Sequence, residues 1–471
     1  YGDVVNLTHP LGMVDDNLMK RYSDNVKIFA NAYVSVELMK GLKYKLNLTP
    51  DFQFYRYNSY EGLFDFGLAK HDITAVTEQQ PRTRNILVEN LLTFDRTFGD
   101  HKVSALVGYT YQDSRYRYMQ GSGQGMPTGI TEIDAASQGL AVSGNSSRSV
   151  LTSILGRAFY SYKNRYLLTA TIRRDGSSKF GSNYRYGNFP SVSVGWNIAE
   201  EDFVKNSVSW LDQLKLRGGY GVLGNQEIDN YQYVSVVTTG INYPDGKSGL
   251  IQGAFPKTFA NPDIKWEETA MTNVGIDFMA LRNRLTLTAD WYVKNTKDIL
   301  LNVPIPISTG GANDPIRNAG KIRNQGFEFN LGWNESLNKD LSYGVSFLGT
   351  YNKNEVVEMG AESQVITGGT IHGGTYTSRT LAGYPIGGFW LIPTDGYFNS
   401  TEEVQAHQKD GVLIQPSAEP GDIRFKDTNN DGTINDEDRV YCGSPFPKFT
   451  YSINGNITYK NVDFSIGFQS V

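Results

Sequence analysis

The chain contains 471 residues with a formal net charge of −5, and 13% of its side chains are aromatic. This mildly acidic balance predicts no nucleic-acid partner, because such partners need clustered positive charge. Cys442 is the single cysteine, which excludes an internal disulfide framework and a cysteine-cluster metal site. No run of about eighteen apolar residues is present, so no transmembrane helix is predicted. A membrane β-barrel is compatible with this, since its strands alternate and keep the mean hydropathy low.

Short segments in which apolar and polar residues alternate recur along the chain. Successive side chains of a β-strand point to opposite faces, so this pattern predicts strands with one apolar and one polar face. In chain order the fourteen predicted strands are residues 31–40, 44–57, 84–94, 102–112, 154–162, 165–173, 190–198, 214–222, 272–280, 284–292, 325–333, 341–351, 449–459 and 462–469.

The last predicted hairpin, residues 449–469, shows the alternation most clearly. Each of its strands is about ten residues long, the length that crosses a bilayer when a barrel strand is tilted. We therefore predict that one set of side chains faces lipid and the other faces the lumen of a barrel. The lipid set is Tyr451, Ile453, Ile457, Val462, Phe464 and Ile466, and the lumen set is Asn454, Asn456 and Asp463.

The connections between the predicted strands alternate between short and long. Short breaks lie at residues 41–42, 163–164, 281–283 and 460–461, and long connections at 59–83, 113–150, 223–266 and 352–447. Up-and-down strands place the short turns at one end and the long loops at the other, as in outer-membrane barrels. A soluble β-protein also alternates apolar and polar residues, but it has no reason to segregate its loops. The pattern favours a membrane barrel.

The composition of the two predicted strand faces points the same way. Charged residues occur near mid-strand, among them Arg217, Asp277 and Asp290, and predict a polar interior as in a wide or plugged barrel. Trp196 and Trp291 lie near strand ends, as the aromatic residues of a membrane-interface girdle do. Ordinary packing is the alternative for any one aromatic, and their recurrence favours the girdle.

From Arg173 onward, successive blocks resemble the barrel of the SusC/RagA family of TonB-linked outer-membrane transporters. The blocks are RRDGSSKFG (173–181), NFPSVSVGW (188–196), LKLRGGYGVLGNQ (214–226), NPDIKWEETAMTNVGIDF (261–278), NAGKIRNQGFEF (318–329), GYPIGGFWLIPTDGYF (383–398) and GDIRFKDTNNDGTINDEDRVYCGSPFPKFTY (421–451). Their order and spacing make the resemblance specific. It covers residues 151–471, whereas the first 150 residues agree only in strand pattern.

The resemblance implies an all-β fold, a large antiparallel transmembrane β-barrel of about twenty-two strands with a plugged lumen. It further implies a SusD-like surface lipoprotein as partner and TonB-dependent import of oligosaccharides or peptides across the Gram-negative outer membrane. The chain begins at Tyr1 without a signal peptide, a TonB box or a plug pattern. We therefore expect residues 1–471 to be a barrel segment with its plug absent, since an open sheet edge is not tolerated in lipid.

Residues 427–438, within the longest connection (352–447), read DTNNDGTINDED and match the spacing of a calcium-binding loop. The predicted ligands are Asp427, Asn429, Asp431, Thr433 through its carbonyl, Asn435 and Asp438. Position 12 is aspartate instead of the usual glutamate, and no helical pattern precedes the loop. We predict a structural calcium ion that stiffens the connection, and the alternative is an acidic turn without metal.

No constellation for catalysis is apparent. The five histidines, His9, His71, His101, His372 and His407, are scattered without ligand or triad spacing, so we predict that the chain is not an enzyme. Aromatic residues of the longest connection, Tyr376, Phe389 and Trp390, are candidates for stacking on a sugar substrate. Packing within the connection is the alternative role for them.

Three functions remain open at this point. The first is the outer-membrane importer that the resemblance implies. The second is a soluble or surface-exposed β-rich glycan-binding protein with a structural calcium loop. The third is a barrel enzyme, which would need a catalytic constellation that the sequence lacks. A requirement for detergent separates the first function from the second.

Overall fold

The computed structural model describes residues 14–15, 18–65, 70–246, 249–303, 305, 308, 313–360, 365–369, 371 and 376–471. β-strands dominate these residues. The helices are short, with α1 at Asp202–Lys205 and α2 at Thr401–Ala406. No helix in the described ranges is long and apolar enough to cross a bilayer.

The strands are numbered here in chain order. The first half holds β1 (Met19–Phe29), β2 (Ala32–Met39), β3 (Leu42–Glu61), β4 (Phe64–Asp65), β5 (Lys70–His71), β6 (Ala75–Gln79), β7 (Arg82–Phe98), β8 (His101–Gln124), β9 (Gln138–Tyr162), β10 (Tyr166–Ser177), β11 (Tyr186–Asn197), β12 (Leu211–Asn225), β13 (Val236–Pro244) and β14 (Leu250–Thr258). The second half holds β15 (Glu267–Ala280), β16 (Leu285–Lys297), β17 (Leu300–Asn302), β18 (Ile316–Asn318), β19 (Lys321–Ser336), β20 (Leu341–Glu358), β21 (Ile366–Thr367), β22 (Ser378–Thr380), β23 (Gly388–Leu391), β24 (Thr394–Tyr397), β25 (Gln408–Lys409), β26 (Val412–Leu413), β27 (Ile423–Phe425), β28 (Val440–Gly443), β29 (Phe449–Tyr459) and β30 (Val462–Ser470).

One compact unit comprises the described residues within 1–160, 169–190 and 226–234. In it β1 and β2 lie end to end against β3, and β6 and β7 lie end to end between β3 and β8. The break between β6 and β7 contains Pro81, which has no N–H group to donate to a neighbouring strand. Strand prediction found β2 and β7 but missed β1 and β6, because neither carries a clear apolar alternation.

A second compact unit comprises residues 161–168 and 191–225 and the described residues within 235–471. Its long strands pair antiparallel with their sequence neighbours, from β11 and β12 through β15, β16, β19, β20 and β29 to β30. Tight turns join β15 to β16 and β29 to β30. In the first of these turns Leu281, Arg282 and Asn283 all have positive φ angles, of 60°, 62° and 60°.

The strand register of the second unit gathers apolar side chains on one face. Trp291, Phe327, Tyr351 and Phe449 are successive partners across β16, β19, β20 and β29 and form one aromatic row. All four are between 44% and 49% exposed. Large apolar side chains exposed in a contiguous row mark a surface that meets something other than water.

The final hairpin follows the predicted alternation. The six predicted lipid-facing side chains are all exposed, with Ile453 lying beside Phe347 and Phe468. Asn454 and Asn456 lie on the opposite face, opposite Ser346 and Gly344 of β20. The register therefore confirms that the two predicted sets occupy different faces.

Each of the fourteen predicted strands coincides with an observed one, but several observed strands are longer. β8 continues to Gln124 instead of ending at residue 112, and β9 begins at Gln138. Most of the predicted connection 113–150 is therefore strand, and that prediction was wrong. The alternation ends where neither face needs to be apolar, whereas the backbone hydrogen bonds of the strands continue beyond that point.

Candidate functional site

The chain between the end of β20 at Glu358 and the start of β29 at Phe449 forms small sheets of its own. β21, β22, β23 and β28 make a four-stranded sheet, β24 pairs with β27, and β25 pairs with β26. The helix α2 begins after Ser400, whose hydroxyl accepts a hydrogen bond from the Glu403 N–H. The described part of the longest predicted connection thus contains short strands and a short helix.

An aromatic cluster sits on this four-stranded sheet. The Trp390 ring lies 4.9 Å from Tyr384 and 6.0 Å from Tyr441, and the two tyrosine rings are 5.2 Å apart. The Trp390 indole Nε1 is buried and donates to no described residue. Phe389, its neighbour on β23, is 39% exposed, and Tyr376 is also exposed. The structure thus packs Trp390 into the connection and leaves Phe389 and Tyr376 open to a ligand.

The acidic turn at residues 427–438 is held by short-range hydrogen bonds. Asp427 accepts from the N–H groups of Asp431 at 3.0 Å and Gly432 at 2.7 Å. Asp431 Oδ1 accepts from both the N–H and the hydroxyl of Thr433 at 2.7 Å. Together with the Asn429 amide, these donors lower the pKa of Asp431 to about 2, the Thr433 hydroxyl contributing most.

Asp438 has a different position in this turn. Its side chain is buried, and its two oxygens accept from the N–H groups of Thr428 at 2.7 Å and Asn435 at 2.8 Å. Asn435 in turn accepts from the Glu437 N–H, so the two residues form a reciprocal cap on a short 3-10 turn. In this conformation the buried Asp438 side chain stabilises the turn by accepting hydrogen bonds from its backbone.

The predicted calcium ligands are therefore close together, with Asp427, Asn429 and Asp431 linked through shared donors. Asn435 also reaches Asp431, at 3.3 Å. In the described residues, no group of three or more Asp, Glu, His or Cys side chains is arranged to hold a metal ion. Calcium binding remains a prediction, for which Asp427, Asn429, Asp431 and the Thr433 carbonyl supply oxygen atoms of the kind that calcium prefers.

A second polar site lies on the strands of the second unit, on the face opposite the aromatic row. Arg217 of β12 donates to both oxygens of Asp290 at 2.5 and 2.6 Å, and its Nε lies 3.2 Å from both oxygens of Asp277. Asn273 adds a donor to Asp290 at 3.0 Å. One guanidinium thus bridges two carboxylates in the two-pronged geometry that arginine favours.

Gly275 is the residue that permits this bridge. It is the register partner of both Arg217 and Asp290, so it lies between them in the sheet. A Cβ atom at position 275 would lie 2.6 Å from Arg217 Cζ and 2.6 Å from Asp290 Oδ1. The sequence pattern placed Arg217, Asp277 and Asp290 on a polar face but gave no sign of Gly275, whose role depends on register.

The three described histidines, His71, His101 and His407, do not come together. His9 and His372 lie outside the described residues. His71 Nδ1 lies 2.8 Å from the Gly62 carbonyl, His101 Nδ1 lies 2.8 Å from the Tyr160 hydroxyl, and His407 packs against Phe398. Among the described histidines none contacts another.

The family of the chain follows from its match to a family model. Residues 12–469 match the model described as TonB dependent receptor-like, beta-barrel. The chain belongs to this family. Its fold is therefore the antiparallel β-barrel of the TonB-dependent receptors, as the strand pattern predicted.

Individual relatives support the narrower resemblance. The chain is 29% identical to TonB-dependent receptor P3 of Formosa agariphila, over 99% of its own length and 46% of the relative. It is 33% identical to TonB-dependent receptor SusC of Bacteroides thetaiotaomicron, over 69% of its own length and 31% of the relative. The SusC/RagA resemblance is confirmed. These relatives are named as receptors, in agreement with the prediction that the chain is not an enzyme.

A solved structure shares the fold. The RagAB peptide transporter superposes with a TM-score of 0.82 and 21% identity, covering 96% of this chain and 48% of that chain. At this identity the likeness is one of fold. The chain spans less than half the length of all three of these matches.

Proposed function

We propose that this chain is the barrel portion of an importer in the Gram-negative outer membrane, which takes up oligosaccharides or peptides with energy supplied by the TonB complex. The observation that carries the proposal is the opposite chemistry of the two faces of the same strands. The row from Trp291 to Phe449 is apolar and exposed, whereas Arg217, Asp277 and Asp290 lie on the other face. An apolar exterior and a polar interior are what a wet membrane barrel requires.

The substrate class rests on the relatives and on the longest connection. One relative is named SusC, and one structural match is described as a peptide transporter, so both oligosaccharides and peptides are proposed. Exposed Phe389 and Tyr376 supply flat apolar surfaces on which a sugar ring or an aromatic peptide side chain can stack. The same ordered connection offers a docking surface for a SusD-like surface lipoprotein, the proposed partner.

Uptake by living cells tests the proposal. The gene for the full-length protein would be deleted and restored, and labelled oligosaccharides and labelled peptides would be supplied in separate cultures. Uptake of one class that needs both the restored gene and a functional TonB complex is the expected result. Co-purification of a SusD-like lipoprotein from native membranes is expected alongside it.

A protein that fractionates without detergent, or uptake of both classes that is unchanged by deletion, would contradict the proposal. A strain lacking TonB but carrying the restored gene is the matched control. It separates energised import from passive leakage through a damaged outer membrane.

A further inference from the structure

Five arginines lie together on one face of β7, β8 and β9 in the first unit. They are Arg82, Arg84, Arg115, Arg117 and Arg148. In the register, Arg82 is the partner of Arg117 and Arg84 is the partner of Arg115. Like charges directly opposite each other destabilise a sheet, so this arrangement needs a compensating interaction.

Asp113 supplies part of that compensation. Its nearly buried carboxylate lies 2.8 Å from Arg148 Nε, 3.1 Å from Arg115 Nη2 and 3.9 Å from Arg84 Nη2. Among the described residues it is the one carboxylate within ion-pair distance of the five arginines. Five guanidinium groups and one carboxylate leave four positive charges in excess. The side chains of Arg84, Arg115 and Arg148 are 45–48% exposed, so their remaining N–H groups are accessible to an anion.

The same face of β8 is apolar before it reaches Asp113. Val107, Tyr109 and Tyr111 precede Asp113 at two-residue steps, and Val107 is 60% exposed. The β7–β8 pairing shows no register shift between Phe98–His101 and Arg82–Arg117, so the face does not change along the way. Tyr111 also accepts a hydrogen bond from Arg148 Nη2 at 3.5 Å. The apolar band on this face thus ends at Tyr111, and Asp113 and then the arginines follow it.

The position of this boundary follows from the turns. The apolar end of β8 leads to the two-residue turn at residues 99–100, whereas its other end leads towards the longer connection 125–137. Short turns are periplasmic in outer-membrane barrels, so the arginines lie on the outer-leaflet side. Arg115 is four residues beyond Tyr111, about 13 Å along the strand and about 10 Å in height at the usual tilt. Interfacial tyrosines mark the headgroup level, and the arginines lie at that level and just above it.

We infer that this arginine cluster binds the headgroup phosphate of an anionic glycolipid in the outer leaflet. Guanidinium groups bind phosphate with two parallel hydrogen bonds, and basic clusters beside an apolar band attract anionic lipids. Arg115, Arg117 and Arg148 also border an open cavity of about 720 Å³ together with Tyr231, which gives a headgroup access to them. The inference rests on the outer-membrane location in the proposed function.

Lipid binding to the purified full-length protein tests it. The detergent-solubilised protein would be titrated with phosphorylated lipid A and with dephosphorylated lipid A, and the bound lipid counted by native mass spectrometry. The variant R82Q/R117Q removes two charges without touching the ion pairs of Asp113. This variant is expected to bind phosphorylated lipid A roughly tenfold more weakly than the wild type does. The variant and the wild type are expected to bind dephosphorylated lipid A equally weakly.

Lys27→Gln is the matched control. Lys27 of β1 is in register with Thr83 and Tyr116 through Gln53 of β3, so it lies on the face opposite the arginines, and its removal is expected to leave lipid binding unchanged. Equal binding by R82Q/R117Q and wild type would overturn the inference, as would competition by millimolar inorganic phosphate as effective as the lipid. The inference would also be overturned if R82Q/R117Q lost a protein partner but still bound the lipid as the wild type does. A protein found outside the membrane fraction would instead refute the proposed function.

Discussion

The long strands of the second unit and the connection between β20 and β29 hold their polar side chains in opposite ways. On the strands, Arg217 reaches Asp290, a residue 73 positions away, across the intervening strand that carries Gly275. In the connection, Asp431 and Asp438 bond to groups no more than ten residues away, such as Thr433 and Thr428. The first arrangement exists only when three strands are in register, and the second can form from one short segment.

This difference predicts how each region fails. A change on the strands acts on the whole sheet, because the inner strands β12, β15, β16, β19, β20 and β29 are each held by two neighbours. A change in the connection opens a local segment whose contacts are largely its own, and the strands stay paired.

The largest expected effect comes from placing a charge on the apolar strand face. Ile453→Arg puts a guanidinium beside Phe347 and Phe468 and is expected to cost about 2–4 kcal/mol of folding free energy near the bilayer midplane. Asn454→Arg, one residue along and on the other face, is expected to cost far less. Urea titration of the full-length protein refolded into vesicles would measure both, and equal destabilisation would show that the face assignment is wrong.

The next effect concerns the bridge across β15. Gly275→Ala places a methyl group 2.6 Å from Arg217 Cζ and forces the guanidinium away from Asp290, at an expected cost of about 1–3 kcal/mol. Gly218→Ala is the matched control, because its Cβ would meet nothing nearer than 3.8 Å. The same urea titration applies. If the two alanine variants were equally stable, the Arg217 side chain would not pass closely over Gly275.

The strands could be predicted from the sequence because the alternation of apolar and polar residues reflects what each face of a strand contacts. Tyr451 and Ile453 must be apolar and Asn454 polar if one face meets lipid and the other meets water, and the alternation records this. The signal ended at residue 112 on β8, where Asp113, Arg115 and Arg117 follow the apolar positions on the same face. Beyond residue 112 the backbone of β8 remains paired, but its side chains no longer need to alternate between apolar and polar.

Register and local packing could not be predicted in the same way. The spacing of Asp427, Asn429 and Asp431 located an oxygen-rich turn, since its contacts are local. Trp390 and Phe389 are adjacent and both aromatic, and the sequence did not indicate that one packs and the other is exposed. Likewise, the arginines at positions 82, 84, 115 and 117 were not singled out from the sequence, because their pairing across β7 and β8 follows only from the register.

The two aromatic neighbours give a local test. Trp390→Ala removes the ring that contacts Tyr384 and Tyr441 and is expected to raise amide hydrogen exchange across residues 376–443. Phe389→Ala removes an exposed ring and is expected to leave exchange in that segment unchanged. Exchange in β20 and β29 is expected to be the same in both variants. Spread of the Trp390→Ala effect into those strands would show that the connection is not an independent unit.

Calcium removal is expected to have a smaller, local effect. If residues 427–438 bind the ion, a chelator will speed limited proteolysis within the connection 359–448 and leave the strands intact, because the turn lies outside them. The double variant Asp427→Asn/Asp431→Asn lacks two predicted ligand charges. It is expected to be cleaved at the same rate with and without calcium. Identical cleavage of the wild type in both conditions would argue for an acidic turn without metal.

The smallest expected effect is the acid response of the same turn. Hydrogen bonds from Thr433 and Asn429 lower the pKa of Asp431 from 3.8 to about 2, so the folded turn favours the carboxylate form. A lowered pKa gives stabilisation that is fully present above pH 3.8 and is lost as the pH falls through about 2. Pepsin, which works in this range, is expected to cut the turn faster as the pH drops.

Thr433→Val tests the cause. It removes the hydroxyl that donates to Asp431 at 2.7 Å but keeps the backbone N–H, so the pKa of Asp431 should rise towards its ordinary value. The turn is then expected to open at a higher pH than in the wild type, whereas Asp431→Asn, which cannot titrate, should remove this part of the pH dependence. Pepsin cleavage rates, normalised to an unrelated peptide at each pH, would measure the midpoint. An unchanged midpoint in Thr433→Val would mean that another group controls the turn.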